Sequence, residues 1–307
     1  MIRAVASEVI AHEEDRLLSA AELRGRVAGC DAVLCLLTDP IDASVLEAAK
    51  GCRVFSNMAV GYNNIDVEAA TRLGILVTNT PGVLTEATAD LTLALILGVA
   101  RRVAEGDVEM RAGRFQGWGP FYMLGGDVTG KSLGLIGPGR IAVAVAERAR
   151  GFRMPLLYHG RGPSAELDAL GAQHVSLKTL LSESDFVSLH VPLTAETRYL
   201  IDGKAISLMK PSAYLINTSR GPVVDEKALA AALKRGTIAG AGLDVYEDEP
   251  RMAEGLASCR NALLLPHLGS ATFATRAAMS RIAAENLVAV LQGKLPAHPV
   301  NPVVMKA

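Results

Sequence analysis

The stretch LGLIGPGRIAVAVA at 133–146 limits the possible fold more than any other part of this 307-residue chain. A short apolar run stops at Gly137-Pro138-Gly139-Arg140-Ile141-Ala142, and an Ala/Val-rich segment follows, closed by Glu147, Arg148 and Gly151. The order reads as strand, glycine turn and helix, the context in which G-x-G-x-x-G/A binds a dinucleotide. Gly137 makes the turn, Gly139 lets backbone approach a pyrophosphate, and the small Ala142 lets helix pack on strand. The N–H groups of Arg140 and Ile141 would face the phosphates. Pro138 has no N–H to add.

The remaining bounds are broad. A chain of this length suits two domains. With 31 Lys+Arg against 32 Asp+Glu, the net charge of −1 argues against nucleic acid or an anionic membrane surface as partner. The apolar run LTLALILGVA at 91–100 is bracketed by Asp90 and Arg101 and falls short of the roughly 20 residues that span a bilayer, so it reads as a buried helix. Cys30, Cys35, Cys52 and Cys259 form no C-x-x-C pair and no Cys/His cluster. Neither metal nor a disulfide framework is therefore expected, and with no secretory signal the expected location is cytoplasmic.

Residues 1–98 read as alternating short strands and helices, with strands at Ala32–Leu37, Arg53–Ser56 and Ile75–Val77. A single long helix is expected from Glu86 to about Arg111, followed by a Gly- and aromatic-rich loop that carries the only tryptophan, Trp118. Strand-like runs at βα spacing then follow: 133–136, Pro155–His159, Phe186–Val191, Ala213–Asn217, Ala241–Val245 and Ala262–Leu265. These predict an α/β protein with a doubly wound dinucleotide-binding domain at 99–281. The other domain would comprise 1–98 and 282–307, with a final helix at Ala283–Leu291 and the tail PAHPVNPV lying back on the first unit.

Ligands of an open α/β sheet bind beyond the carboxyl ends of its strands. After the strand at 155–159 stands Arg161, where a fold selective for NAD usually places a carboxylate for the ribose 2′-OH; an arginine suits a 2′-phosphate. Later strand ends carry Arg220, then Asp244 and Glu249, then His267. Reduction of a 2-oxo acid needs those residue types. A guanidinium holds the carboxylate and polarises the ketone. An imidazolium delivers the proton, and a carboxylate beside it orients the ring and favours its charged form.

Seven ordered motifs then carry a resemblance over nearly the whole chain: AVGYNNID at 59–66, TNTPGVLTEATAD at 78–90, GKSLGLIGPGRIA at 130–142, LHVPLTAETRYLI at 189–201, INTSRGPVVDEKAL at 216–229, GLDVYEDEP at 242–250 and PHLGSAT at 266–272. Together they resemble the D-2-hydroxyacid dehydrogenase family, in its glyoxylate/hydroxypyruvate reductase branch. The resemblance implies a Rossmann cofactor domain inserted in a flavodoxin-like substrate domain, with the active site in the cleft between. It implies NAD(P)H-dependent reduction, with NADPH preferred on the strength of Arg161 and NADH possible. By motif, Arg220 would bind substrate, His267 would be the acid/base and Glu249 its partner. Val60 and Gly61 would offer backbone N–H groups to the substrate carboxylate. Asp244 would hold the nicotinamide carboxamide, with Thr218 and Pro192 lining the cofactor. Trp118 resembles an aromatic that reaches a neighbouring subunit's site, which implies a homodimer.

Three features depart from the family pattern: Pro138 in the turn, Ala142 for the third glycine, and a chain that opens late, so that an early strand of the substrate domain is expected to be missing. Glu249 argues against formate dehydrogenases, and Val60 against phosphite dehydrogenases, which resemble the chain around FQGW. D-3-phosphoglycerate dehydrogenase and an NAD(H)-sensing co-repressor of the same fold remain open alternatives.

Overall fold

A computed structural model describes every residue except Asp15 and Ala307. The chain forms two units, Met1–Leu84 with Thr272–Ala307, and Thr85–Ala271.

The smaller unit begins with helix α1 (Ala20–Val27), strand β1 (Ala32–Cys35), α2 (Ala43–Ala48), β2 (Val54–Asn57), α3 (Val67–Arg72) and β3 (Leu76–Thr78). The three strands form a parallel sheet in the order β1-β2-β3. Side chains at the N-caps start its helices: Ser19, Asp42 and Asp66 each accept an N–H from the first turn, worth about 1 kcal/mol apiece. Phe55, Ile41, Leu46 and Ile75 fill its core. The tail returns to β3, with Pro299 bridged to Thr78 and the Val300 N–H bonded to the Val77 carbonyl at 2.8 Å.

The larger unit continues with α4 (Thr85–Ala100), α5 (Val103–Arg111), β4 (Leu133–Ile136), α6 (Arg140–Ala149), β5 (Leu156–His159), α7 (Ala165–Ala169), β6 (Gln173–His174) and α8 (Leu177–Glu183). Then come β7 (Phe186–Leu189), α9 (Gly203–Ser207), β8 (Tyr214–Asn217), α10 (Glu226–Arg235), β9 (Gly240–Leu243) and β10 (Ala262–Leu264), and the smaller unit resumes with α11 (Phe273–Leu291). Seven parallel strands run in the order β10-β9-β8-β7-β4-β5-β6. Strand order reverses at β4, which lies between β5 and β7, so the crevice for a ligand opens directly beyond β4. Strands β4, β7 and β9 are buried along their whole length, as expected for a parallel sheet covered on both faces.

The sequence-based boundaries at 98/99 and 281/282 fall later than the observed divisions at 84/85 and 271/272. The reason is packing. Helix α4 lies on β8, β9, β10 and α6, whereas α11 lies on β1 and β2, so each helix belongs whole to the sheet it covers. The single helix expected from Glu86 to about Arg111 is in fact two. Arg102 takes a left-handed conformation (φ 54°) between them, and the loop at 125–126 crosses α4's end, where the Gly126 N–H bonds to the Ala100 carbonyl at 2.8 Å. Strand β6, two exposed residues long, carried no apolar run by which to find it.

Candidate active site

At the end of β4, Gly137 adopts φ +98°, and a Cβ there would lie 2.8 Å from the carbonyl carbon and oxygen of His190. Only glycine fits between β4 and the chain leaving β7. The Gly139 N–H turns back to the Gly137 carbonyl at 2.9 Å, and a Cβ at Gly139 would meet no heavy atom within 4 Å. Open space therefore faces the start of α6, where the N–H groups of Arg140, Ile141 and Ala142 lie in a first turn that has no intrahelical acceptors. Pro138 costs the turn one donor but packs on Gly160: a Cβ at Gly160 would sit 2.4 Å from the proline ring. These features fit the pyrophosphate of a dinucleotide.

The loop after β5 presents Arg161, exposed to solvent. Its shape is set from below by Tyr158, a fully buried side chain whose hydroxyl accepts the Ser164 N–H at 2.9 Å and donates to Asp168 at 2.7 Å. Pro192 lies exposed beyond β7, its carbonyl held by the Thr197 hydroxyl at 2.6 Å. Thr218, after β8, is buried against Thr92 at 3.0 Å.

The ends of β8, β9 and β10 bring Arg220, Glu249 and His267 together. His267 Nδ1 lies 2.9 Å from Glu249 Oε2, with the two side chains 25% and 30% exposed. A carboxylate can only accept, so Nδ1 donates and Nε2 is left for substrate. Burial pushes the Glu249 pKa up, but the His267 hydrogen bond and charge, the Tyr246 N–H and the charge of Arg220 outweigh it and hold the group below its ordinary value. The guanidinium of Arg220 bonds to the Ser219 carbonyl at 2.7 Å, and the Asn217 side chain bonds to the Arg220 carbonyl at 3.0 Å. Burial lowers the Arg220 pKa while Glu249 opposes the shift. An arginine remains charged regardless.

Asp244 is 1% exposed, and its two oxygens accept the N–H groups of Leu268 and Gly269 at 2.6 and 2.8 Å. Burial raises its pKa against the pull of those donors and of His267. The residue therefore braces the backbone at His267, which has a left-handed φ of 58°. His190, beyond β7, offers no rival acid: burial pushes it down to about 3, and its ring bonds to the Ser188 hydroxyl.

The family model of the NAD binding domain of D-isomer specific 2-hydroxyacid dehydrogenases matches residues 93–269, more than half of the chain and all but the first eight and last two residues of its larger unit. The chain belongs to that dehydrogenase family. A glyoxylate reductase from Thermococcus litoralis is 51% identical over 282 residues, 90% of this dehydrogenase and 85% of the relative. Among solved structures, a glyoxylate reductase from Paecilomyes thermophila is 38% identical with a TM-score of 0.81, covering 90% of this chain and 85% of that one. An NADPH-dependent glyoxylate/hydroxypyruvate reductase from Sinorhizobium meliloti, solved with NADP and malonate, is 36% identical with a TM-score of 0.83, covering 92% and 86%. The dehydrogenase is thus an oxidoreductase of Rossmann type that uses a nicotinamide cofactor.

In the smaller unit of the dehydrogenase, Val60 and Gly61 follow β2. Their carbonyls are anchored by the side chains of Asn79 and Asn57 at 2.8 and 3.0 Å. Among the described residues there is no cluster of His, Cys, Asp and Glu able to hold a metal, and no helix long and apolar enough to cross a membrane. A cavity of about 700 Å³ opens at the opposite, amino edge of the large sheet, lined by Arg102, Glu105, Lys131, Asp185 and Arg260 among others. No predicted site residue lies there.

Two residues that the sequence reading passed over matter to the site. Gly221 lets the chain after Arg220 touch the loop after β9, since a Cβ would lie 1.8 Å from the Tyr246 carbonyl carbon. Glu226, on the first turn of α10, is 2% exposed and accepts N–H groups from that same loop. The motif RGPVVDE contained both, but an acidic residue at a helix start reads from sequence as an ordinary favourable charge.

Proposed function

We propose that this dehydrogenase reduces small 2-oxo acids, glyoxylate and hydroxypyruvate, to glycolate and D-glycerate, and catalyses the reverse reaction, with NADPH as the preferred cofactor. The observation that carries the reading is the convergence of Arg220 with the Glu249–His267 pair at the sheet edge where the glycine turn opens. Arg220 binds the substrate carboxylate through charge-assisted bonds and polarises the ketone. His267 Nε2 gives its proton to the oxygen as negative charge develops there. Glu249 accepts from Nδ1, fixes the ring and stabilises the imidazolium before transfer. A bound reduced nicotinamide supplies the hydride. Gly137, Gly139, Arg140 and Ile141 would hold its pyrophosphate, Arg161 would meet a 2′-phosphate, and Pro192, Thr218 and Asp244 would line the nicotinamide side. The names of the relatives support the substrate class, and the NADP-bound relative supports the cofactor.

Absorbance at 340 nm with glyoxylate or hydroxypyruvate, using each reduced cofactor in turn, tests the proposal. Turnover with both acids and a higher kcat/KM for NADPH than for NADH is the expected result. A folded, cofactor-saturated protein without turnover would refute the enzymatic reading, and equal or better use of NADH would refute the cofactor preference.

Two copies are proposed to pair through α5 and the loop after it. Helix α5 buries none of its residues, and Met110, Trp118, Phe121 and Leu124 are 59%, 86%, 85% and 63% exposed. Apolar surface of that density is characteristic of an interaction site. Light scattering should return about twice the 32.2 kDa chain mass; a monomer across micromolar concentrations would contradict the pairing.

A further inference from the structure

We propose that Glu226 is a positioning residue for the proton-donating pair, stapling the loop that carries Glu249 so that its carboxylate stays on His267. The proposal rests on the roles assigned above to Glu249 and His267.

The loop from Tyr246 to Ala253 leaves β9 and must return past α10. Glu226 sits inside that bend. One carboxylate oxygen accepts the Glu247 N–H and the other accepts the Ala253 N–H at 2.9 Å. The two donors are six residues apart and bracket Glu249, so a single side chain ties both ends of the segment to a helix. Asp225 caps that helix by accepting the Ala228 N–H at 2.9 Å, which fixes the base from which Glu226 reaches. On the other side the loop rests on Gly221, where no side chain would fit. Inside the segment the Tyr246 N–H bonds to Glu249 Oε1 at 3.0 Å, leaving Oε2 for His267.

A fully buried carboxylate is costly unless its bonds compensate, and this one lies near two like charges, Glu247 and Glu249. Burial first, and then those charges, raise its pKa against the two N–H donors. A residue kept at such a cost needs a return, and here the return is geometric. The charged groups that face the pair from the surrounding elements are Arg220 after β8, Asp244 after β9 and Glu226 on α10, while Glu247 faces Glu226. Of these, Glu226 alone holds the loop at two points.

Replacing Glu226 with Gln keeps the shape but turns one acceptor into a donor that faces an N–H, so one tie is lost. The test measures kcat against pH for wild type, E226Q, E249Q and the double variant, with NADPH affinity followed by fluorescence. E226Q is expected to lower kcat roughly tenfold and move the basic limb of the profile to lower pH, the direction expected for E249Q, at unchanged NADPH affinity. The double variant should be no worse than E249Q alone, because Glu226 acts through Glu249. Ala253→Pro removes one donor from the loop side and should move the basic limb in the same direction, which keeps the test open if E226Q does not fold. A wild-type pH profile in folded E226Q, or effects that multiply with E249Q, would overturn the proposal as a mere fold requirement. A wild-type profile in E249Q would instead sink the pair assignment on which it rests.

Discussion

The glycine turn at 137–142 and the loop at 244–253 leave the same edge of one sheet, yet they are held in opposite ways. The turn is defined by missing side chains: Gly137 at φ +98° fits against His190, and Pro138 fits against Gly160. The loop is defined by carboxylates, with the buried Asp244 holding the backbone at 268–269, the buried Glu226 holding 247 and 253, and the more exposed Glu249 holding His267. Backbone geometry suffices to cradle a phosphate, which asks only for N–H groups and room. Proton delivery asks for one nitrogen in one place, and side chains from the end of β9 and from the start of α10 are needed to fix it.

If that division is right, damage to the two regions should separate binding from chemistry. The largest expected effect is on the loop side: His267→Ala should lower kcat by about 10²–10⁴-fold, the usual worth of a positioned general acid, with NADPH affinity nearly unchanged. Rapid-mixing turnover beside a fluorescence titration would show both quantities. On the turn side the pattern inverts. Gly137→Ala forces a Cβ against the His190 carbonyl, and overpacking of about 1–3 kcal/mol would weaken NADPH binding roughly ten- to a hundredfold. The kcat at saturating cofactor should change far less. A smaller effect is expected at Arg161, where Ala should cut kcat/KM with NADPH roughly tenfold through the lost charge-assisted bonds and leave NADH unaffected.

The smallest effect concerns acid. Glu249 is held below its ordinary value of 4.5, chiefly by His267 against the opposing effect of burial. Whatever a carboxylate of depressed pKa contributes is present above its ordinary value and is lost as pH falls through the depressed one. The pair should therefore survive acidification past pH 4.5, and the acid limb of kcat should lie below that value in any buffer that keeps the protein folded. An acid limb at or above pH 5 would show that another group fails first.

The contrast also explains what the sequence made readable. The turn is a contiguous motif with a strict spacing, so its location and residues could be read directly, and the parallel strands around it showed as apolar runs. Arg220, Glu249 and His267 emerged because each stands just past such a run. Glu226 did not, because its partners are backbone N–H groups 21 and 27 positions away. The break at Arg102 was hidden because helical periodicity persists on both sides of it; what ends α4 is a loop from 125–126 crossing its last carbonyl. The unit boundaries were read late at both ends because a helix shows its apolar face in sequence but not which sheet that face covers.

The account's central claim is that His267, oriented by Glu249, carries the proton that the substrate oxygen receives. Nuclear magnetic resonance of the His267 imidazole in the cofactor-bound protein tests it most directly, set beside the pH dependence of kcat for glyoxylate reduction. The account predicts that loss of the imidazolium proton and the basic limb of kcat share one midpoint. An imidazole already neutral throughout the pH range in which the enzyme turns over would contradict it.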